Sequence, residues 1–499
     1  MKPRVALALG ALLLFALQAR QSAGYYHFDE YFQTVEFASY KLGITPPGDL
    51  PWEFAARMRP FLQPAVYYGI AGALGQFGPQ EPGVALLAFR LFDALLAWAS
   101  LCLLAWALGR RLQGERAKTW LLASCLLTWF VPFLSVRTSS ENLAGSLLAM
   151  GFASFLLLEK RLALAALTAG AAMGLSFEAR YQVAFAVLGF VAWLLLLRRA
   201  PRALLPFAVG FALSLALGLA IDRWGYGEWV ATPWNYLRVN LVEERAAAFG
   251  RSPVTFFVTS LVTVHAPLSA LLLLAAVLFW VRAPRDPITW MTLPFVVGHT
   301  LFAHKELRFL FPLGPLAAAI PALLLLDPSI DLARFRGFLA RRPGILRGFV
   351  ALNLAFLGAL LVVPIRHDLS VQVCLHRKLA GATDPRVVFL ATEPFVDGDV
   401  PLRYLQPPGL RPIRVAFWQA VEPYLEAADG PLYVVARIAE PPPAELRERY
   451  QVRRLTAPLP EGVARLLARP LQRTEMRALW SVERREALEV SEDDSTGPR

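Results

Sequence analysis

Apolar residues fall into eleven long runs, at about 3–20, 84–108, 119–136, 142–158, 161–178, 182–198, 203–221, 264–282, 287–303, 309–326 and 348–365. Runs of this length predict membrane-spanning helices. Several are shorter than the roughly 20 residues a straight span needs, so their ends are loosely set. A further apolar stretch, Phe61 to Phe77, holds Pro64 and three glycines and predicts a helix lying in the interface. Beyond about residue 366 the pattern changes to short runs between Pro-rich turns. Arg386 to Ala391 and Leu432 to Ile438 read as buried strands, and Trp418 to Ala428 and Ala444 to Tyr450 as helices. The expected fold class is an α-helical polytopic membrane protein with a small C-terminal α/β domain on the outer face. Residues 1–365 form the membrane domain, 366–488 the α/β domain and 489–499 a disordered tail.

The first run follows Lys2 and Arg4 and precedes Ser22 and Ala23, a pattern shared with cleaved signal peptides. An uncleaved helix is the expectation, because the residues just beyond it carry candidate chemistry that needs anchoring at the membrane.

Composition agrees with a membrane class: of 499 residues, 56% are hydrophobic and 18% charged. The net charge of +12 invites a nucleic-acid reading, but its placement excludes one. With the N-terminus in the cytoplasm, eighteen Lys and Arg fall at the inner ends: Lys2, Arg4, Arg110, Arg111, Arg116, Lys118, Lys160, Arg161, Arg198, Arg199, Arg202, Arg282, Arg285, Arg334, Arg336, Arg341, Arg342 and Arg347. That is the positive-inside pattern of a topology signal. Counting 61–77 as a span would send Arg110 to Lys118 outside and break it. The loops 21–83, 137–141, 179–181, 222–263 and 304–308, and the tail from 366, then share the outer face. Cys102 and Cys125 lie in apolar runs and Cys374 stands apart, so no disulfide framework is indicated. Zinc-ligand spacing and a Gly-rich phosphate loop are both absent from the sequence.

These outer loops hold the polar residues that topology leaves unexplained. His304-Lys305-Glu306-Leu307-Arg308-Phe309 packs four titratable groups into five positions at a membrane edge, where unpaired charge is costly. A solvated turn with snorkelling Lys and Arg would look similar. The first loop carries Asp29-Glu30, Gln33 and Glu36, then Trp52, Glu53 and Arg59. Adjacent carboxylates beside the bilayer suit acid/base work, and would equally suit the first turn of an interfacial helix. In Arg137-Thr138-Ser139-Ser140-Glu141-Asn142, Glu141 fits a helix start and the Arg137 guanidinium suits a phosphate. Glu178, Arg180 and Gln182 form a short polar turn. The 222–263 loop places Asp222, Tyr226, Trp234, Asn235, Tyr236 and Asn240 among aromatics that suit either an interfacial belt or sugar stacking.

Together these motifs resemble the family 22 mannosyltransferases, membrane glycosyltransferases of the GT-C architecture. The resemblance rests on His304-Lys305-Glu306 with Arg308-Phe309 and Pro312; on Asp29-Glu30 with Phe32-Gln33 and Glu36; on Trp52-Glu53 with Arg59; on Arg137-Thr138; and on Asp222, Tyr226-Gly227, Pro233-Trp234-Asn235-Tyr236, Asn240 and Phe249-Gly250. It covers most of residues 20–320. The chain departs from the pattern at Phe28, where the family usually has Pro, and at Glu141, which intervenes before Asn142.

The resemblance implies an inverting transfer of mannose from a polyprenyl-phosphate donor to a hydroxyl of a glycolipid or lipid-linked glycan on the outer or lumenal face. Asp29 is the expected general base, with Glu30 as second choice or as the group orienting the acceptor. Arg137, His304, Lys305 and Arg308 are expected on the leaving phosphate, with Glu306 holding Lys305 or Arg308. Gln33, Glu36, Trp52, Glu53, Arg59, Arg180, Asp222, Tyr226, Trp234, Asn235, Tyr236 and Asn240 are expected to support these groups or bind sugar. The expectation is no cofactor, a divalent metal on Asp29 and Glu30 being the minor alternative. Expected partners are the lipid donor, the glycolipid acceptor and membrane lipids, with no nucleic acid and a monomeric chain. The expected site is a bacterial inner membrane with the site facing the periplasm, or an endoplasmic reticulum membrane facing the lumen. Alternatives are a GT-C enzyme using another polyprenyl-linked sugar, and a lipid-linked saccharide transporter. The latter is disfavoured because the charges sit at loop edges and no inverted repeat is visible.

Overall fold

Each of the eleven apolar runs carries a helix in the computed structural model, which describes residues 3–22, 24–78, 81–243, 245–362, 368–379, 386–390, 396–397, 400–428, 430–456 and 477–484. The helices are α1 (Pro3–Gln21), α2 (Pro82–Gly109), α3 (Glu115–Leu127), α4 (Ser140–Leu157), α5 (Leu162–Ala179), α6 (Ala184–Leu196), α7 (Leu204–Tyr226), α8 (Leu268–Arg282), α9 (Pro287–Leu301), α10 (Gly314–Leu326) and α11 (Pro343–Val362). Among the described residues, α1, α2, α4, α5, α7, α10 and α11 are long and apolar enough to cross a membrane, α7 and α10 with their leading 3-10 turns; α6 and α8 are shorter apolar helices. The stretch read as interfacial forms a helix at Leu62–Gly75, whose 14 residues fall short of a straight span.

Lipid gives helices no hydrophobic drive to associate, so close backbone approach carries the packing. A Cβ on Gly170 of α5 would strike the Phe207 carbonyl of α7, and one on Gly210 would strike Leu167. Gly189 of α6 meets the Trp290 backbone of α9 in the same way, and Gly145 of α4 meets Pro312. These contacts fix where α5, α6 and α9 end, and those ends frame the site.

The loops sort by end of the bundle. Arg4 pairs with Glu115, Arg111 with Asp286, Arg198 with Glu159 at 3.5 Å, and Arg282 donates to the Asp331 carbonyl at 3.1 Å. All of these belong to the basic loops. The polar loops 27–59, 180–182, 233–249 and 302–309 gather around one cavity.

Beyond a helix at Asp368–Leu379, which the sequence pattern did not reveal, the chain forms β1 (Arg386–Phe389), β2 (Arg411–Arg414), β3 (Leu432–Arg437), β4 (Tyr450–Thr456) and β5 (Arg477–Arg484). The sheet order is β2-β1-β3-β5-β4, with β1 parallel to β2 and β3, and β5 antiparallel to β3 and β4. The helix expected at 418–428 is a 3-10 turn, Trp418–Val421, running into a helix at Glu422–Glu426. Strand alternation sends Val388 and Val434 to one face with Trp418 and Leu446. Val387, Phe389 and Val435 point to the other face and share a core with Tyr31, Phe32, Ala38 and Phe89. The sheet therefore packs directly on the first long loop. The tail at 489–499 lies outside the described residues.

Candidate active site

After α1 the chain turns at Gly24, where φ is +93°, and enters a helical segment from Tyr31. Arg137 holds that turn. Its guanidinium donates to the Ser22 carbonyl at 2.7 Å, to Ser22 Oγ at 2.9 Å and to the Gly24 carbonyl at 3.3 Å, and lies 3.8 Å from Glu30. Glu30 accepts from the backbone N–H groups of Tyr26 at 2.9 Å and His27 at 3.4 Å. With Glu30 turned inward, its neighbour Asp29 faces a cavity of about 690 Å³.

Arg308 is the centre of charge. It lies 2.6 Å from Asp29, 2.6 Å from Glu306 and 3.2 Å from Glu141. The 3-10 helix Leu307–Leu313 turns it inward, and Pro312 of that turn lies against Gly145. Glu141 stands in the first turn of α4, capped by Ser139 Oγ, and also meets Arg180 at 3.0 Å. Glu306 contacts His304 at 2.9 Å and His27 at 3.2 Å. Burial pushes the Asp29 carboxyl up, but Arg308, then His27 and Arg59, outweigh it and hold the group at about 2. Glu306, also buried, is brought down to about 2 by its hydrogen bond and charge contact with Arg308. Burial raises Glu53 against the pull of Arg59, 3.6 Å away.

Of the residues singled out in the sequence, Asp29, Trp52, Glu53, Arg59, Arg180, Tyr236, Asn240, His304, Glu306 and Arg308 line this cavity. Others lie outside its lining, and their contacts say why. Arg137, 1% exposed, is consumed by the carbonyls of the first turn and faces no ligand space, contrary to the phosphate role expected of it. Lys305 donates to the carbonyls of Ser252 at 2.9 Å and Phe302 at 2.5 Å, so it is a loop clamp. Glu30, the second choice as base, lies outside the lining, bound to the N–H groups of Tyr26 and His27 and beside Arg137. Among the described residues no group of three His, Cys, Asp or Glu side chains is placed to hold a metal ion.

Gln33 donates to Glu53 at 3.2 Å. Glu36 accepts from Thr45 at 2.6 Å and from the Tyr404 N–H at 3.1 Å. Asp222 accepts from the Phe61 N–H at 2.7 Å and from Thr232. Tyr226 donates to the Arg59 carbonyl at 2.8 Å, and Asn235 to that of Arg57 at 3.0 Å. These five support the cavity from behind, and Trp234 is 62% exposed on the surface.

Two histidines of the cavity wall were not among the residues singled out in the sequence. His27 touches Glu306 and lies 3.7 Å from Asp29. Its position two places before the carboxylate was the available signal. His299 sits within the α9 apolar run, where an isolated histidine gives no signal at all.

The model of the Alg9-like mannosyltransferase family matches residues 7–368. GPI mannosyltransferase 3 of Yarrowia lipolytica is 32% identical over 295 residues, covering 58% of this chain and 56% of that protein. GPI alpha-1,2-mannosyltransferase 3 of Homo sapiens is 25% identical over 308 residues, covering 58% and 51%. The chain spans about half the length of the curated relatives it matches. Among solved structures, ArnT from Cupriavidus metallidurans aligns over 96% of this chain and 97% of its own. The TM-score is 0.50 at 15% identity with undecaprenyl phosphate bound, and 0.52 at 14% identity in the apo state. That likeness shows the fold, the GT-C architecture the motifs implied.

Proposed function

The chain belongs to the Alg9-like mannosyltransferase family, and on that premise we propose that it moves mannose from a polyprenyl-phosphate donor to a hydroxyl of a glycolipid or lipid-linked glycan. The observation that carries this reading is Asp29. It is a buried carboxylate facing the cavity, 2.6 Å from Arg308, at the end of the bundle opposite the basic loops. A lipid-borne donor reaches such a site by lateral diffusion, and the site faces away from the cytoplasm. We take the acceptor to be a glycolipid because the relatives carry that class in their names.

Inverting displacement needs a base for the acceptor hydroxyl and cations for the leaving phosphate. The acceptor oxygen bonds to the anomeric carbon while the bond from that carbon to the phosphate oxygen breaks. The electron pair leaves with the phosphate, and the hydroxyl proton passes to Asp29. Arg308 is spent on three carboxylates. A donor phosphate competes for it, with Arg180 and Arg59 as the other cations on the wall and His304 beside them. Once Arg308 turns to the phosphate, burial pushes the Asp29 carboxyl up and makes it a stronger base. Donor binding thus arms the base, and the carboxylate stays masked until a donor arrives.

The test is transfer of radiolabelled mannose by purified protein in detergent. Polyprenyl-phosphate mannose and GDP-mannose are offered separately, with a membrane lipid extract as acceptor. Transfer is expected from the lipid donor only, and Asp29→Asn should lower it about 10²- to 10⁴-fold. Label taken only from GDP-mannose would overturn the outward-facing site. Transfer from another polyprenyl-linked sugar alone would overturn mannose.

A further inference from the structure

Among the described residues, His299 is a wall residue with an unanswered polar atom whose hydrogen-bonding sense is dictated by a backbone carbonyl. Its Nδ1 lies 2.8 Å from the carbonyl oxygen of Phe295, one turn back on α9. A carbonyl oxygen only accepts, so Nδ1 carries the proton, and in the uncharged ring Nε2 presents a bare lone pair. An imidazolium would find no carboxylate there, and the charge that faces the ring is the cation Arg180. Nε2 is buried and has no hydrogen-bond partner, yet the ring borders the cavity. Buried acceptors are normally satisfied, so an unmatched one in a ring that borders the cavity leaves a hydrogen bond for a ligand to complete once a small shift of the wall admits it.

The ring cannot turn away. Phe295 stacks on it at 4.2 Å and Phe185 meets it edge-on at 5.7 Å. Phe185 lies flat on α9 because the next residue back is Gly298, where a Cβ would strike its ring. Phe302 and Phe309 complete the wall at 6.3 Å. A lone pair framed by aromatic faces matches a hydroxyl on a sugar ring, whose C–H faces pack on aromatics. It does not match an anion, which that lone pair would repel.

We propose that His299 is a specificity-determining residue whose Nε2 accepts a hydrogen bond from one hydroxyl of a sugar seated in the cavity. The proposal rests on the sugar-transfer reading above. Two sugars share this chemistry, the mannose of the donor and the terminal sugar of the acceptor. The test separates them.

Full-length protein in detergent is titrated calorimetrically with polyprenyl-phosphate mannose and its four monodeoxy analogues. A parallel arm uses octyl mannoside and its deoxy analogues as the acceptor probe. One analogue in one arm should bind roughly 10- to 100-fold more weakly than its parent. His299→Phe, or His299→Leu where the larger ring disturbs folding, should lose the same factor for the parent sugar and nothing further for that analogue. His299→Gln, which returns an acceptor at similar reach, should recover most of the binding and the selectivity. A merely structural role would weaken all analogues alike. Additive losses at every position in both arms overturn the proposal and leave sugar transfer standing. Wild-type protein that binds neither parent overturns both.

Discussion

At the scale of single residues, the site turns on which charges are already spent. Arg308 faces Asp29, Glu306 and Glu141, and the Asp29 carboxyl is held at about 2 as a result. A base works ionised, so wild-type kcat/KM should show no acid limb from Asp29 between about pH 5 and 8. In Arg308→Gln the strongest opposing charge is gone and burial pushes the carboxyl up. Residual activity should then fall as pH falls across that window, and a pH–rate profile of both proteins decides it. A uniform loss at every pH would mean that Arg308 does not tune Asp29. Arg137 makes the opposite prediction. Its bonds go to the Ser22 and Gly24 carbonyls and the Ser22 hydroxyl, and cutting them strands buried acceptors at about 1–3 kcal/mol each. Arg137→Gln should lower the unfolding midpoint, while folded enzyme keeps its KM for the donor. A KM rise without loss of stability would restore the phosphate role. The two arginines were indistinguishable in sequence, since both follow an apolar run and adjoin polar residues. Only the tertiary contacts show that one faces a cavity and the other a turn. Glu141 shows the same limit. It reads as a helix start, which it is, but its contacts with Arg308 and Arg180 come from segments far away in the chain.

At the scale of elements, the hydrophobic pattern was legible where the environment is uniform. All eleven apolar runs carry helices, because lipid obliges the backbone to satisfy itself. Ends were less legible. The α7 helix continues through Asp222 and Trp224 to Tyr226, beyond the apolar run, and stops at Gly227 in the left-handed conformation, φ +80°. The helix at Asp368–Leu379 mixes charged and apolar positions, and its place comes from packing on the sheet and α2 rather than from composition. The contact between the first long loop and the chain at Tyr404 holds a titratable group. Glu36 is pushed up to about 7 by burial, against the hydrogen bonds from Thr45 and the Tyr404 N–H. Between about pH 4.5 and 7 the folded protein holds a proton that the unfolded chain releases, so stability falls as pH rises through that window. Glu36→Gln removes this contribution. The drop in unfolding midpoint from pH 5 to pH 8, followed by tryptophan fluorescence, should shrink in the variant. An unchanged drop would show that Glu36 does not titrate in that range.

At the scale of the whole molecule, charge and chemistry are segregated to opposite ends of one bundle. The basic loops contact each other, as Arg4 with Glu115 and Arg111 with Asp286 show, while the cavity is built from the loops between them and the helix ends they join, Phe177, Phe185 and His299 among them. Alternation of loops along the chain thus predicted which residues meet, though not how they meet. The proposed placement of the cavity on the face away from the cytoplasm rests on the positive-inside bias, and it can be tested without activity. In protein freed of Cys102, Cys125 and Cys374, single cysteines replace Gly48, where a side chain meets open space, and Gln113, exposed in a basic loop. A membrane-impermeant maleimide applied to sealed right-side-out vesicles should label Gly48→Cys at once and Gln113→Cys only after lysis. The reverse order would put the cavity in the cytoplasm. Nucleotide sugars would then be within reach of Asp29, and a lipid-phosphate donor would lose the topological reason for its use.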